Sequence, residues 1–124
     1  MVPLPDTARN IQYALFREGL QAEFDLVRFE APVEDCCATA NKIVAEQNAE
    51  AWDEHCRVPG LRPMASADQD PDQPRVDTPP AGLPAPWFDP QSIRNGLVAG
   101  RTSSHTPAIW IDVERGIFYY QYHD

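Results

Sequence analysis

Positive charge is what this chain has least of. Ten Lys and Arg stand against nineteen Asp and Glu, a net charge of −9 over 124 residues. Phosphate backbones and anionic lipid surfaces are bound by cations, so direct binding of nucleic acid or of an acidic membrane is not expected. Long apolar runs are missing as well. No stretch approaches the roughly 20 apolar residues of a membrane-spanning helix. The opening residues, Met1-Val2-Pro3-Leu4-Pro5-Asp6, lack the basic and apolar regions of a secretory signal. Cysteine is scarce. Cys36, Cys37 and Cys56 are odd in number, and a ring between adjacent cysteines is strained, so buried free thiols in a reducing cytoplasm are expected.

Chemical motifs are scarce too. No C-x₂-C or H-x₃-H spacing offers a metal site, although Cys36, Cys37, His55, Cys56, His105 and His123 are all potential ligands. No G-x-S-x-G marks a nucleophile, and no cofactor fingerprint occurs. No metal, no cofactor and no enzymatic activity are therefore expected.

What remains is ordinary globular material: 43% apolar and 23% charged residues, enough for a single domain over 1–124. Ile11 to Phe29 reads either as a helix stopped by Gly19 or as a hairpin turning at Arg17-Glu18-Gly19. The hairpin is the expected form. Pairing Phe16 with Leu20 then puts Ala14, Phe16, Leu20, Ala22, Phe24 and Leu26 on one face.

Residues 32–52 are the best helix. Pro32 suits its start, and Glu34 and Asp35 complement the positive end of its dipole. Val33, Cys36, Cys37, Ala40, Ile43, Val44, Gln47 and Ala51 recur on one side, with Thr39, Lys42, Glu46 and Glu50 on the other. Such a helix needs a sheet to lie on.

Nine of the thirteen prolines fall between Pro59 and Pro90, together with Asp68, Asp70, Asp72 and Asp77. This acidic segment, 59–86 at its densest, lacks the apolar mass for a core of its own. It is expected to lie as extended chain over the fold, anchored by Leu61, Met64, Val76 and Leu83. Trp87-Phe88 is expected to plug the core before a short turn at 90–94.

The tail is the strongest strand signal. Ala108–Val113 and Ile117–Tyr122 flank Glu114-Arg115-Gly116, a turn with glycine last. Pairing Val113 with Ile117 puts Ile109, Ile111, Val113, Ile117 and Tyr119 on one face. Trp110, Asp112, Phe118, Tyr120 and Tyr122 then share the other, which needs a cover the helix cannot supply.

The fold expected is α+β: a small antiparallel sheet of three or four strands, one main helix on one face, and a long proline-rich surface segment. The function expected is that of a small acidic intracellular interaction protein without enzymatic activity, such as an inhibitor, an immunity-like protein or an adaptor. It would bind a protein partner or a second copy. Its contacts would be Trp110, Phe118, Tyr120 and Tyr122, with Asp68, Asp70 and Asp72 steering a basic partner. An alternative uses the 94–106 stretch as a loop for a small anion, held by Arg94, Arg101, Ser103, Ser104 and His105. Gly96–Thr102 resembles a phosphate loop in outline, but its spacing is one residue short and Arg stands for Lys. A further alternative is an enzyme of unrecognised type using Ser103 or Ser104 with His105.

Overall fold

The computed structural model describes residues 2–18, 22–66, 68–76 and 85–123. Among them, six strands form one antiparallel sheet and 18 residues form one α-helix. The strands are β1 (Arg9–Glu18), β2 (Ala22–Glu30), β3 (Arg62–Pro63), β4 (Gly96–Gly100), β5 (Pro107–Asp112) and β6 (Ile117–His123). The helix α1 (Val33–Glu50) follows β2. The order across the sheet is β1-β2-β6-β5-β4-β3.

The α+β class with a single main helix stands, but three or four strands become six. The reason is geometric. A helix is about 10 Å across and strands lie about 4.8 Å apart, so one helix covers only two or three strands. A sequence with one good helix therefore argues for a narrow sheet. This chain builds a wide one and covers it by other means.

On one side, α1 lies mainly over β5, with β4 and β6 beside it. Cys36, Ala40, Ile43 and Val44 meet Phe29, Ala99, Ile109, Ile111 and Phe118, with the Phe29 and Phe118 rings stacked at 4.6 Å. Thr39, expected on the polar side, is buried as well. Burial pushes the Cys36 thiol up to about 12, and its Sγ donates to the Ala31 carbonyl. Cys37 and Cys56 are only half-buried, and all three cysteines are free.

On the far side there is no helix. Phe16, Phe24, Leu26, Val98, Trp110, Ile117 and Tyr119 are covered by Phe88, Met64, Val76, Ala85, Trp87 and Ile93. Phe88 sits edge-on to both Trp110 and Tyr119, at 5.9 and 5.5 Å. The proline-rich segment thus acts as a second layer, as expected for Met64 and Val76. Leu83 and Asp77 lie outside the described residues.

Arg62 holds that layer in place. Its Nε donates to Asp70 Oδ2 at 2.6 Å, and its other nitrogens donate to the carbonyls of Gly60, Asp72 and Gly100. Thr102 Oγ1 accepts from the Arg75 N–H at 2.7 Å, and the Arg75 carbonyl accepts from Gln121 Nε2 at 3.2 Å. A chain without its own core is ordered here by polar bonds to its neighbours.

Two registers differ from those expected. The first hairpin pairs Phe16 with Phe24, not with Leu20, so its turn moves two residues along the chain, outside the described residues. The tail hairpin pairs Asp112, not Val113, with Ile117. Its four-residue turn keeps glycine last: Gly116 has φ +66° and donates its N–H to the Asp112 carbonyl at 2.9 Å. The buried Asp112 accepts from the Glu114 and Arg115 N–H groups and from Arg115 Nε, which closes the turn.

Candidate functional site

The tail register decides which predicted contact residues meet. A shift of one residue moves a strand's side chains to opposite faces. Trp110 therefore pairs with Tyr119 on the far side, whereas Phe118 and Tyr120 face the helix side. The single aromatic face expected from the sequence does not exist. Trp110 is 2% exposed, Phe118 0% and Tyr120 9%, so these rings are core first. Tyr122 is half-buried on the helix side.

The acidic trio is also divided. Asp70 is bound to Arg62 and accepts the Asp72 N–H at 3.1 Å, which makes it an internal clasp. Asp68 and Asp72 are exposed.

The 94–106 stretch is not one loop. Its middle is β4, an interior strand paired with β5 and β3. Arg94 lies before that strand and lines a hollow with Ser92, Asp112, Glu114 and Arg115. Arg101 lies after it, and its Nη2 donates to the His55 carbonyl. Roughly 15 Å of strand separates the two ends, so the two arginines do not converge on one anion. Ser103 and Thr106 share a hydroxyl–hydroxyl bond of 2.6 Å. The His105 N–H donates to the His123 carbonyl at 2.7 Å, and Ser104 forms an isolated bridge with His123. These groups close their own turn. Among the described residues no group of His, Cys, Asp and Glu is arranged to hold a metal ion.

The open feature of this fold is elsewhere, where α1 runs out of width. Ile11, Tyr13 and Leu15 of β1 lie on the helix side beyond its reach. Ile11 is 47% exposed, Tyr13 59% and Leu15 43%. A groove of about 490 Å³ opens there, lined by Val2, Leu4, Ile11, Tyr13, Glu23, Asp25, Val27 and Tyr120. A second hollow, of about 320 Å³, adjoins it. The two share Glu23, Asp25 and Tyr120, and the second adds Glu46, Gln47 and Glu50 from α1 and Tyr122 from β6. One end is therefore apolar and the other carries four carboxylates.

The electrostatics are lopsided. None of the described side chains lining either hollow is basic. Arg17 is bonded to Glu23 at 3.4 Å from a position 72% exposed, a weak, solvent-screened pair. Asp25 Oδ1 is shut off from solvent and has no hydrogen-bond partner. Burial, then the neighbouring Glu23 charge, hold the Asp25 carboxyl above its ordinary value against the lowering pull of Arg17. Burial and Asp25 likewise raise the Tyr13 and Tyr120 hydroxyls.

A pH dependence follows. The folded chain prefers Asp25 protonated more than the unfolded chain does. Stability is therefore fully present below the unfolded value, near pH 4, and is lost as pH rises through the raised folded value. Removing the charge reverses that loss. Asp25→Asn is expected to stabilise the protein by about 1 kcal/mol at pH 7, because it keeps the side chain's shape and removes a partly desolvated charge beside Glu23. That is about 3–5 °C in thermal unfolding, and the gap should close as pH falls from 7 to 4. Unfolding curves by circular dichroism at both pH values check this.

The sequence reading missed this groove, although Tyr120 and Tyr122 were among its contact residues. The signal was the first hairpin itself. Ile11, Tyr13 and Leu15 alternate with Gln12, Ala14 and Phe16, so β1 carries apolar side chains on both faces. An edge strand with one covered face cannot bury both sets.

Among the described residues no helix is long and apolar enough to cross a membrane. The chain matches no protein-family model, no curated protein and no solved structure.

Proposed function

We propose that this protein is a small acidic interaction protein, an inhibitor, immunity-like protein or adaptor that works in a reducing compartment. It docks a basic, partly apolar segment of a protein partner in the groove between β1–β2 and α1. One observation carries this: an open apolar groove ends on Glu23, Asp25, Glu46 and Glu50 with no basic side chain among its described lining residues. Apolar walls supply contact area, and four carboxylates, opposed only by the exposed Arg17 among the described side chains paired with them, select a cation and steer it in. A second copy is the poorer occupant. Symmetric pairing would bring one chain of net charge −9 against the acidic end of another. The three free cysteines fit the compartment.

The test is fluorescence anisotropy with two labelled peptides of about ten residues. One alternates leucine with lysine and the other leucine with glutamate. The lysine peptide should bind, and binding should weaken between 50 and 300 mM salt as the charges are screened. A double substitution of exposed residues, Ile11→Ser with Tyr13→Ser, should weaken it at least fivefold. Equal binding of both peptides, or no binding of either, overturns the proposal.

A further inference from the structure

The two hollows differ in chemistry and meet at three side chains, Glu23, Asp25 and Tyr120. Asp25 Oδ1 is the one polar side-chain atom among the described residues that is both closed off from solvent and unpartnered. A buried acceptor left unpaired costs free energy until a donor reaches it. Tyr13 stands on the apolar side of the junction, Tyr122 on the acidic side and Tyr120 at the junction itself. Aromatic faces attract cations as well as apolar stems. The apolar hollow, about 490 Å³, is within the range of pockets that enclose a small ligand.

From this juxtaposition we infer that the groove is anchored by one long basic side chain, a lysine or arginine of the partner. Its aliphatic stem lies along Val27 and Tyr13, and its cationic head reaches Asp25 and Glu23 beside Tyr120. Such a side chain matches both ends at once: methylenes for the apolar wall, and N–H donors for Asp25 and for a Glu23 that otherwise has the solvent-screened Arg17 as its counter-charge. A purely apolar anchor would leave Asp25 unpaired. A free metal cation would make no use of the apolar walls. This inference rests on the docking groove proposed above and names what the groove reads.

Three small probes test it with the full-length protein: the N-acetyl methylamides of lysine, arginine and norleucine. Norleucine keeps the lysine stem and lacks the charge. Backbone amide shifts followed by NMR should move saturably at Glu23–Val27 and Tyr120–Tyr122 with a cationic probe at millimolar concentration. Norleucine should bind at least tenfold more weakly, and whichever cation binds more tightly names the anchor. Asp25→Asn, which keeps the shape of the side chain, should weaken the cation at least tenfold. Norleucine binding as well as lysine, no loss in Asp25→Asn, or shifts confined to another part of the chain each overturn the inference. The outcomes separate it from the docking proposal. A lysine–leucine peptide that binds wild type and Asp25→Asn equally removes the anchor and leaves the groove. Cationic amides that bind where the peptide does not remove the docking role.

Discussion

Gly100→Ala is expected to cost about 3–5 kcal/mol and to lower the thermal midpoint by roughly 10–20 °C. Gly100 ends β4 at φ +73°, in the left-handed region where a side chain is strained. A Cβ there would be driven into the Pro107 carbonyl oxygen, a backbone atom held by the neighbouring strand. The contact cannot be relieved by a rotamer change. The same residue joins three parts of the chain. Its N–H donates to the Pro59 carbonyl at 2.8 Å, and its own carbonyl accepts from Arg62 Nη2 at 3.1 Å. Displacing it should therefore loosen the 59–76 layer along with β4. Denaturant unfolding measures the cost, and limited proteolysis reads the loosening as faster cleavage within 59–76. Gly60→Ala is the control, because no heavy atom lies within 4 Å of a Cβ placed there. A loss below about 1 kcal/mol for Gly100→Ala would mean that the strand end adjusts at little cost.

Trp110→Ala should cost a similar amount, about 3–5 kcal/mol, by emptying the centre of the far-side core. Trp110 is 2% exposed, pairs across strands with Val98 and Tyr119, and receives the edge of Phe88. The cavity has poor means of collapse, since rigid strands bound it on both sides. The milder Trp110→Phe should stay folded. It should bind the lysine–leucine peptide within twofold of wild type, because Trp110 belongs to the core on the side of the sheet away from α1. Calorimetry and anisotropy measure the two quantities separately. A folded Trp110→Phe protein that loses the peptide would return Trp110 to the contact surface and remove the groove from that role.

These two residues show how far local pattern carries. Trp110 was legible as a strand residue with apolar neighbours. Its face was not, because the face depends on whether the turn has three residues or four. The first hairpin makes the contrast. Its turn also lies away from the expected place, yet Ala14, Phe16, Phe24 and Leu26 share a face as expected, since a shift by an even number of residues preserves the alternation. In the tail the shift is one residue, and every side chain of one strand changes sides relative to the other. Both stretches between the strands contain glycine with charged residues nearby, and neither states where its turn begins or how long it is.

Gly100 shows the other limit. Gly96-Leu97-Val98-Ala99-Gly100 has glycine at both ends and one β-branched residue, so it reads as loop. It becomes a strand because β5 lies beside it with a full row of backbone donors and acceptors, which no property of those five residues announces. Arg62–Pro63, within the proline-rich segment, pairs for the same reason. Arg94 and Arg101 were then parted by a strand that only the sheet reveals.

By itself the sequence determined the acidic balance, the tail hairpin, a helix over about 32–52 and the inability of the proline-rich stretch to build a core of its own, and it left 11–29 open between helix and hairpin. Each follows from composition or from periodicity within a few neighbouring residues. Tertiary structure alone decided the width of the sheet, the faces of the tail and the position of the groove. A helix has a finite diameter, and where it ends across a sheet depends on how many strands assemble beside it. That number is a sum over long-range pairings, and the open strip left over is where Asp25 Oδ1 finds no hydrogen-bond partner among the described residues.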